Sequence, residues 1–89
     1  MTTDEIRATV LHLLSNIAPE AEPAQLKPDK NLREQLDVDS VDLLDFMIAV
    51  HEKFAVEIPE RDYPKLLTLD GCVAYLQTAI RSRETKSKT

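Results

Sequence analysis

Apolar residues recur along this chain with helical spacing, and no strand-like alternation persists beyond a few residues. Ile6, Val10, Leu13, Leu14 and Ile17 stand at i, i+4, i+7, i+8 and i+11, which predicts a helix over residues 3–17 with that face inward. Thr2-x-x-Glu5 has the spacing of a capping box, Asp4 and Glu5 suit the positive end of the helix dipole, and Pro19 stands just past the expected end. Residues 18–38 form a long connection with Pro19, Pro23 and Pro28, pinned to the core by Leu26, Leu32 and Leu36 and holding a turn of helix within residues 31–36. A second helix is expected over residues 40–54. Ile58-Pro59 then imposes an extended break, because the residue before proline is pushed out of the helical region. Residues 60–67 suit a short helix begun or interrupted by Pro64. Thr68 is placed to cap a last helix carrying Leu69, Val73, Leu76 and Ile80 on one face, widened by Cys72 and Tyr75. Residues 82–89 lack an apolar anchor and are expected to be a disordered basic tail. The pattern predicts an all-α fold, a small bundle of three main helices plus a short third one, with residues 1–81 as a single domain.

The second helix carries more apolar surface than one buried face requires. On a wheel of about 100° per residue, Leu43, Phe46, Met47, Val50 and Phe54 share an arc of roughly 100°, an ordinary core stripe. Val41, Leu44 and Ile48 occupy a separate arc about 60° wide. Asp45 and Glu52 flank it on one edge and His51 on the other, while Asp42 lies farther round near Ala49. Such a stripe suits a docking surface, in which apolar contact gives affinity and acidic side chains give orientation and on-rate. The alternative is that both stripes are buried, one of them beneath the long connection.

Charge sharpens the docking reading. The 89 residues carry a net charge of −5, but residues 81–89 hold Arg81, Arg83, Lys86 and Lys88 against Glu84 alone. Residues 1–80 therefore hold seven basic and fifteen acidic side chains, a net of −8. Between Glu34 and Glu52 stand six acids (Glu34, Asp37, Asp39, Asp42, Asp45 and Glu52) and neither Lys nor Arg. That field repels nucleic-acid phosphates and steers basic protein surfaces. No apolar run is long enough for a membrane span, and the acidic N-terminus lacks the layout of a secretory signal. The single cysteine, Cys72, reads as a small buried hydrophobe and fits a reducing, cytoplasmic setting.

Catalytic machinery is not visible in the sequence. His12 and His51 fall on different predicted helices without a Cys or second His at ligand spacing, so no metal site is expected. Asp37, Asp39 and Asp42 invite a calcium loop. However, its sixth position is Asp42 where glycine is needed and its twelfth is Ile48 where glutamate is needed. Gly71 is the only glycine, which excludes a glycine-rich phosphate cradle. Ser40 stands between aspartates where a loop meets a helix. It has the chemistry of an N-cap, yet that position also leaves its hydroxyl reachable by another protein. It lies outside a nucleophile elbow and has no local base. An accessible serine beside a recognition surface, without catalytic groups, suggests a substrate for another enzyme.

Asp39-Ser40-Val41-Asp42 resembles the Asp-Ser-Leu-x modification motif of acyl carrier proteins. Asp29-x-x-Leu32-x-x-x-Leu36 upstream, Phe54-x-Val56-x-Ile58-Pro59 downstream and Thr68 before the closing helix are placed as in that family, so the likeness covers nearly the whole domain. The resemblance implies a four-helix carrier bundle in which Ser40 is esterified by 4'-phosphopantetheine. This group is taken from coenzyme A by a magnesium-dependent phosphopantetheinyl transferase. The arm's thiol would hold acyl or aminoacyl thioesters and present them to partner enzymes, in fatty-acid, polyketide-like or other specialised biosynthesis. Asp39 would serve transferase recognition, and Val41, Asp42, Leu44, Asp45, Ile48 and Glu52 would form the partner surface. A loading ligase and downstream acyl-transfer enzymes with basic docking surfaces would be the partners of a monomeric cytoplasmic carrier.

Three departures from the family pattern stand out. Asp37-Val38 replaces a Gly-Ala-like pair, Val41 replaces a longer side chain, and His51 occupies a position that is often acidic. They point away from housekeeping fatty-acid synthesis and toward a specialised, stand-alone carrier. The competing reading is a non-modified helical adaptor of the same fold, against which the intact Asp39-Ser40 pair argues.

Overall fold

A computed structural model of the protein describes residues 2–19, 22, 25–36 and 38–87, with the backbone alone for 83–87. Helix α1 spans Thr3–Ile17, α2 Leu32–Gln35, α3 Ser40–Phe54 and α4 Leu69–Ser87, with a 3-10 helix over Glu60–Leu66 between the last two. No strand occurs among the described residues. The architecture is the all-helical bundle expected from the periodicity, and α3 has the expected bounds.

The expected capping box forms at the start of α1. Thr2 Oγ1 accepts the Glu5 N–H at 3.1 Å, and Glu5 Oε1 accepts the Thr2 N–H at 2.8 Å. These bonds to the charged form hold the Glu5 carboxyl below its ordinary range. Ile6, Val10, Leu13 and Leu14 face inward from this helix, which packs on both α3 and α4. The inner stripe of α3 meets them with Phe46, Met47, Val50 and Phe54, and α4 contributes Leu69, Cys72, Val73, Leu76 and Ile80. Cys72 is fully buried, and desolvation pushes its thiol up to about 12, so it packs as an inert hydrophobe.

The connection before α3 is held by leucines and by one amide. Leu32 and Leu36 are buried and Leu26 packs on the same core. Gln35 turns its side chain back over the loop. Its Oε1 accepts the Lys27 N–H at 2.6 Å, and its Nε2 donates to the carbonyls of Lys27 at 2.8 Å and Lys30 at 3.0 Å. Two backbone bonds tie this segment to the start of α4, from Leu32 N–H to the Leu67 carbonyl at 2.7 Å and from Asp70 N–H to the Pro28 carbonyl at 2.9 Å. Backbone polar groups that would otherwise be stranded near the core thus find partners. Pro23 and Asp37 lie outside the described residues.

The structure differs from the sequence expectation at two helices. The short helix around Pro64 is a 3-10 helix, a geometry used in short pieces, over residues where the proline removes a backbone donor. At the C-terminus, a disordered tail is expected over residues 82–89, but α4 continues to Ser87. Apolar periodicity stops at Ile80, yet Arg81, Arg83, Glu84 and Lys86 are good helix formers. Cations there also suit the negative end of the dipole. Lys88 and Thr89 lie outside the described residues.

Thr68 caps α4 as expected, its Oγ1 accepting the Gly71 N–H at 2.9 Å. The same turn explains the single glycine, since a Cβ at Gly71 would sit 2.8 Å from Thr68 Oγ1 and press on the Lys65 carbonyl. Gly71→Ala should therefore destabilise the domain by roughly 1–3 kcal/mol through overpacking, although alanine is the better helix former. Urea unfolding should show a lower midpoint with an unchanged slope.

Tyr75 on α4 anchors the 3-10 helix by donating its hydroxyl to Asp62 Oδ2 at 2.8 Å, and Lys65 Nζ lies 3.2 Å from Asp62 Oδ1. The tyrosine bond, followed by Lys65, holds the Asp62 carboxyl below its ordinary 3.8. Burial and then the same bond push the Tyr75 hydroxyl up to about 12. A carboxyl depressed in the folded state gives stability that is present above its unfolded value and lost as pH falls through the folded one. Stability measured as a function of pH should thus show a steeper acid limb below about pH 4 in the wild type than in Tyr75→Phe.

Candidate functional site: the exposed face and N-terminus of helix α3

The first turn of α3 is built by two aspartates. Asp39, in extended backbone, is the N-cap. Its Oδ1 accepts the Asp42 N–H at 2.9 Å, and Asp42 Oδ2 accepts the Asp39 N–H at 3.4 Å. This acidic version of a capping box places two carboxylates at the positive end of the helix. Ser40 is thereby relieved of the capping role that its position suggests. It is the first helical residue and is exposed, and its hydroxyl makes no hydrogen bond to another side chain or backbone group among the described residues. Both residue types favour cap positions, and the carboxylate one step earlier takes the site.

The two stripes of α3 separate as the wheel indicates. Leu43, Phe46, Met47, Val50 and Phe54 are buried. Val41 is 64% exposed and Leu44 and Ile48 are each 46% exposed, and they are the only large exposed hydrophobics among the described residues. Asp45 and Glu52 are exposed along one edge, His51 is exposed along the other, and Asp42 is partly covered. The described residues of the long connection leave these three side chains exposed.

Two features at the end of α3 have no signature in the sequence. Ala55 ends the helix in the left-handed region, at φ 53° and ψ 43°, a conformation usually given to glycine. His51 supports that turn, with Nδ1 2.7 Å from the Val56 carbonyl, while its own carbonyl accepts the N–H groups of Ala55 and Val56. Because a carbonyl only accepts, Nδ1 carries the proton, and in the neutral ring Nε2 is then the nitrogen without one.

The site therefore offers an exposed primary hydroxyl at a helix N-terminus, a three-residue apolar patch beside it and carboxylates along one edge. A groove between the 3-10 helix and α4, lined by Lys65, Gly71, Ala74, Tyr75 and Thr78, includes none of these residues. No three of the described His, Cys, Asp and Glu side chains converge to hold a metal, and no helix among the described residues is long and apolar enough to cross a membrane.

Comparison with known proteins gives this arrangement its context. The family model described as the phosphopantetheine attachment site matches residues 6–76. The chain belongs to the acyl carrier protein family. It is 34% identical over 76 residues to the acyl carrier protein of Helicobacter hepaticus, covering 85% of this chain and 93% of that one. Against the acyl carrier protein of Campylobacter fetus the identity is 36% over 73 residues, covering 82% and 88%. The meromycolate extension acyl carrier protein of Mycobacterium tuberculosis is 30% identical over 77 residues, and this chain spans 86% of itself but only 66% of that longer protein. Among solved structures, the acyl carrier protein from Enterococcus faecalis superposes with a TM-score of 0.76 at 26% identity, over 89% of this chain and 99% of the other.

Acyl carrier proteins are carriers, not catalysts, and their cofactor is a covalently attached 4'-phosphopantetheine. The geometry at Ser40 fits such a group. Ser40 is exposed, its hydroxyl is uncommitted among the described residues, and a phosphodiester there would lie near the N–H groups of the first turn.

The two stripes should respond differently to truncation. Met47→Ala, which removes a side chain only 3% exposed, should cost about 2–5 kcal/mol. Leu44→Ala should change stability by no more than about 0.5 kcal/mol, because its side chain already faces water. Chemical unfolding of the two variants checks the contrast, and equal losses would place Leu44 in the core.

Proposed function

We propose that Ser40 is the residue that receives 4'-phosphopantetheine and that Val41, Leu44 and Ile48, edged by Asp45 and Glu52, are the surface on which partner enzymes dock. The observation that supports this most directly is the pairing of a free, exposed Ser40 hydroxyl with the largest exposed apolar side chains of the described molecule, on one helix. When bound, the arm supplies a terminal thiol that holds acyl or aminoacyl groups as thioesters.

The residues around Ser40 divide the work. Asp39 and Asp42 fix the first helical turn, so the hydroxyl is presented from a rigid element. Asp39 also stands beside Ser40 as a carboxylate for the transferase to recognise. After modification the same two carboxylates oppose the phosphate charge, which turns the arm away from the first turn. The apolar patch is small, so a partner gains limited contact area and leaves quickly, as successive enzymes require. The acids on its edge attract basic partner surfaces and speed encounter.

On this reading the partners are a phosphopantetheinyl transferase, a loading ligase and downstream acyl-transfer enzymes, met in the cytoplasm by a monomeric carrier. Its relatives are acyl carrier proteins, one of them of meromycolate extension, which supports carriage of acyl groups here. Val41 shortens the apolar knob beside the arm and favours a dedicated pathway.

Incubation with coenzyme A, magnesium and a broad-specificity phosphopantetheinyl transferase should raise the intact mass of the wild type by one phosphopantetheine and leave Ser40→Ala unchanged. An unmodified wild type would favour the helical adaptor, and a modified Ser40→Ala would move the site elsewhere. In the same assay Asp45→Lys should lower kcat/KM with normal helicity, by roughly tenfold at low salt and less at high salt.

A further inference from the structure

The exposed face of α3 is asymmetric about Ser40. On the helical wheel, Leu44 and His51 lie within about 40° of Ser40, while Glu52 and Asp45 lie farther round the same way, about 120–140° from it and beyond Ile48 and Val41. Eleven residues separate Ser40 from His51, which places the histidine three turns farther along, about 16 Å down the axis. The track between them has exposed Leu44 beside it and no carboxylate on it, and it ends at an imidazole ring held in place by the Val56 carbonyl at 2.7 Å. That bond fixes the tautomer and leaves Nε2 as an acceptor on an exposed side chain.

We infer that His51 is the resting seat for the thiol end of the arm. The inference rests on Ser40 being the attachment point. Three observations carry it. The pantoyl, β-alanyl and cysteaminyl segments of the arm, extended, span a distance comparable to the three turns from Ser40 to His51. The carboxylates of Asp45 and Glu52 lie along the opposite edge, so an arm that begins with a phosphodiester is biased toward the uncharged side. At the end of that side, Nε2 accepts a hydrogen bond from the thiol, while the arm's dimethyl segment passes the Leu44 side chain. Docking and arm release are then coupled, because a partner seated on Leu44 takes the place of the resting arm. His51 acts in this as a positioning residue.

The test uses the full chain, converted with coenzyme A and the transferase and checked by intact mass. Nuclear magnetic resonance should show the His51 ring signals shifting between unmodified and modified protein while those of His12, exposed on α1, do not. Contacts should appear between the His51 ring protons and the arm's terminal methylenes. In modified His51→Gln, with helicity unchanged, the contacts from the arm's dimethyl segment to the Leu44 methyls should be lost. Mass gain with an unshifted His51 and no such contacts would overturn this inference and leave the attachment site standing. Contacts to Leu44 that persist in His51→Gln would also overturn it. Absence of mass gain would overturn the attachment reading and this inference together.

Discussion

Burial of one stripe of α3 is the interaction on which the rest of the molecule depends. Phe46, Met47, Val50 and Phe54 lock this helix into a shared core with α1 and α4, which fixes its rotation about its own axis. Once that rotation is set, the opposite stripe has no choice but to face water. The apolar cost of exposing Val41, Leu44 and Ile48 is therefore borne by the same packing that orders the core. A helix held less firmly could roll its outer stripe inward only by turning its core stripe toward water, which the burial of Phe46 and Val50 prevents.

The polar connections complete what the core begins. Gln35 satisfies three backbone groups of the preceding loop, and bonds from Leu32 and Asp70 link that loop to the start of α4. The segment leading into α3 is thus attached at several points before it reaches Asp39. The ends of α3 are secured separately, by the Asp39–Asp42 pair at one end and by the His51–Val56 bond with the left-handed Ala55 at the other. Its middle is held by hydrophobic burial, its ends by directional bonds, and its outer face is left to function.

Much of this was legible in the sequence because the signals are periodic or local. The core faces of α1, α3 and α4, the Thr2–Glu5 box, the Thr68 cap and the two-stripe character of α3 follow from spacing alone. The resemblance around Asp39-Ser40 marked the family that the comparisons show. Other features were hidden for physical reasons. Gln35 reaches back eight residues to a loop without repeating pattern, and Ala55 adopts a conformation that its side chain does not advertise. Ser40 and Asp39 are both cap formers, so composition could not say which would cap. The continuation of α4 depends on helix propensity after the apolar pattern has ended, where burial gives no guide.

The acidic cap has a consequence for the working cycle of the carrier. Because Asp39 and Asp42 bond each other's backbone, the first turn of α3 draws none of its hydrogen bonding from the Ser40 hydroxyl. The turn's own fastenings lie in the two aspartates and do not involve that oxygen. With Ser40 as the proposed attachment point, gaining or losing the arm changes none of the hydrogen bonds that secure this turn, and the fold is the same before and after.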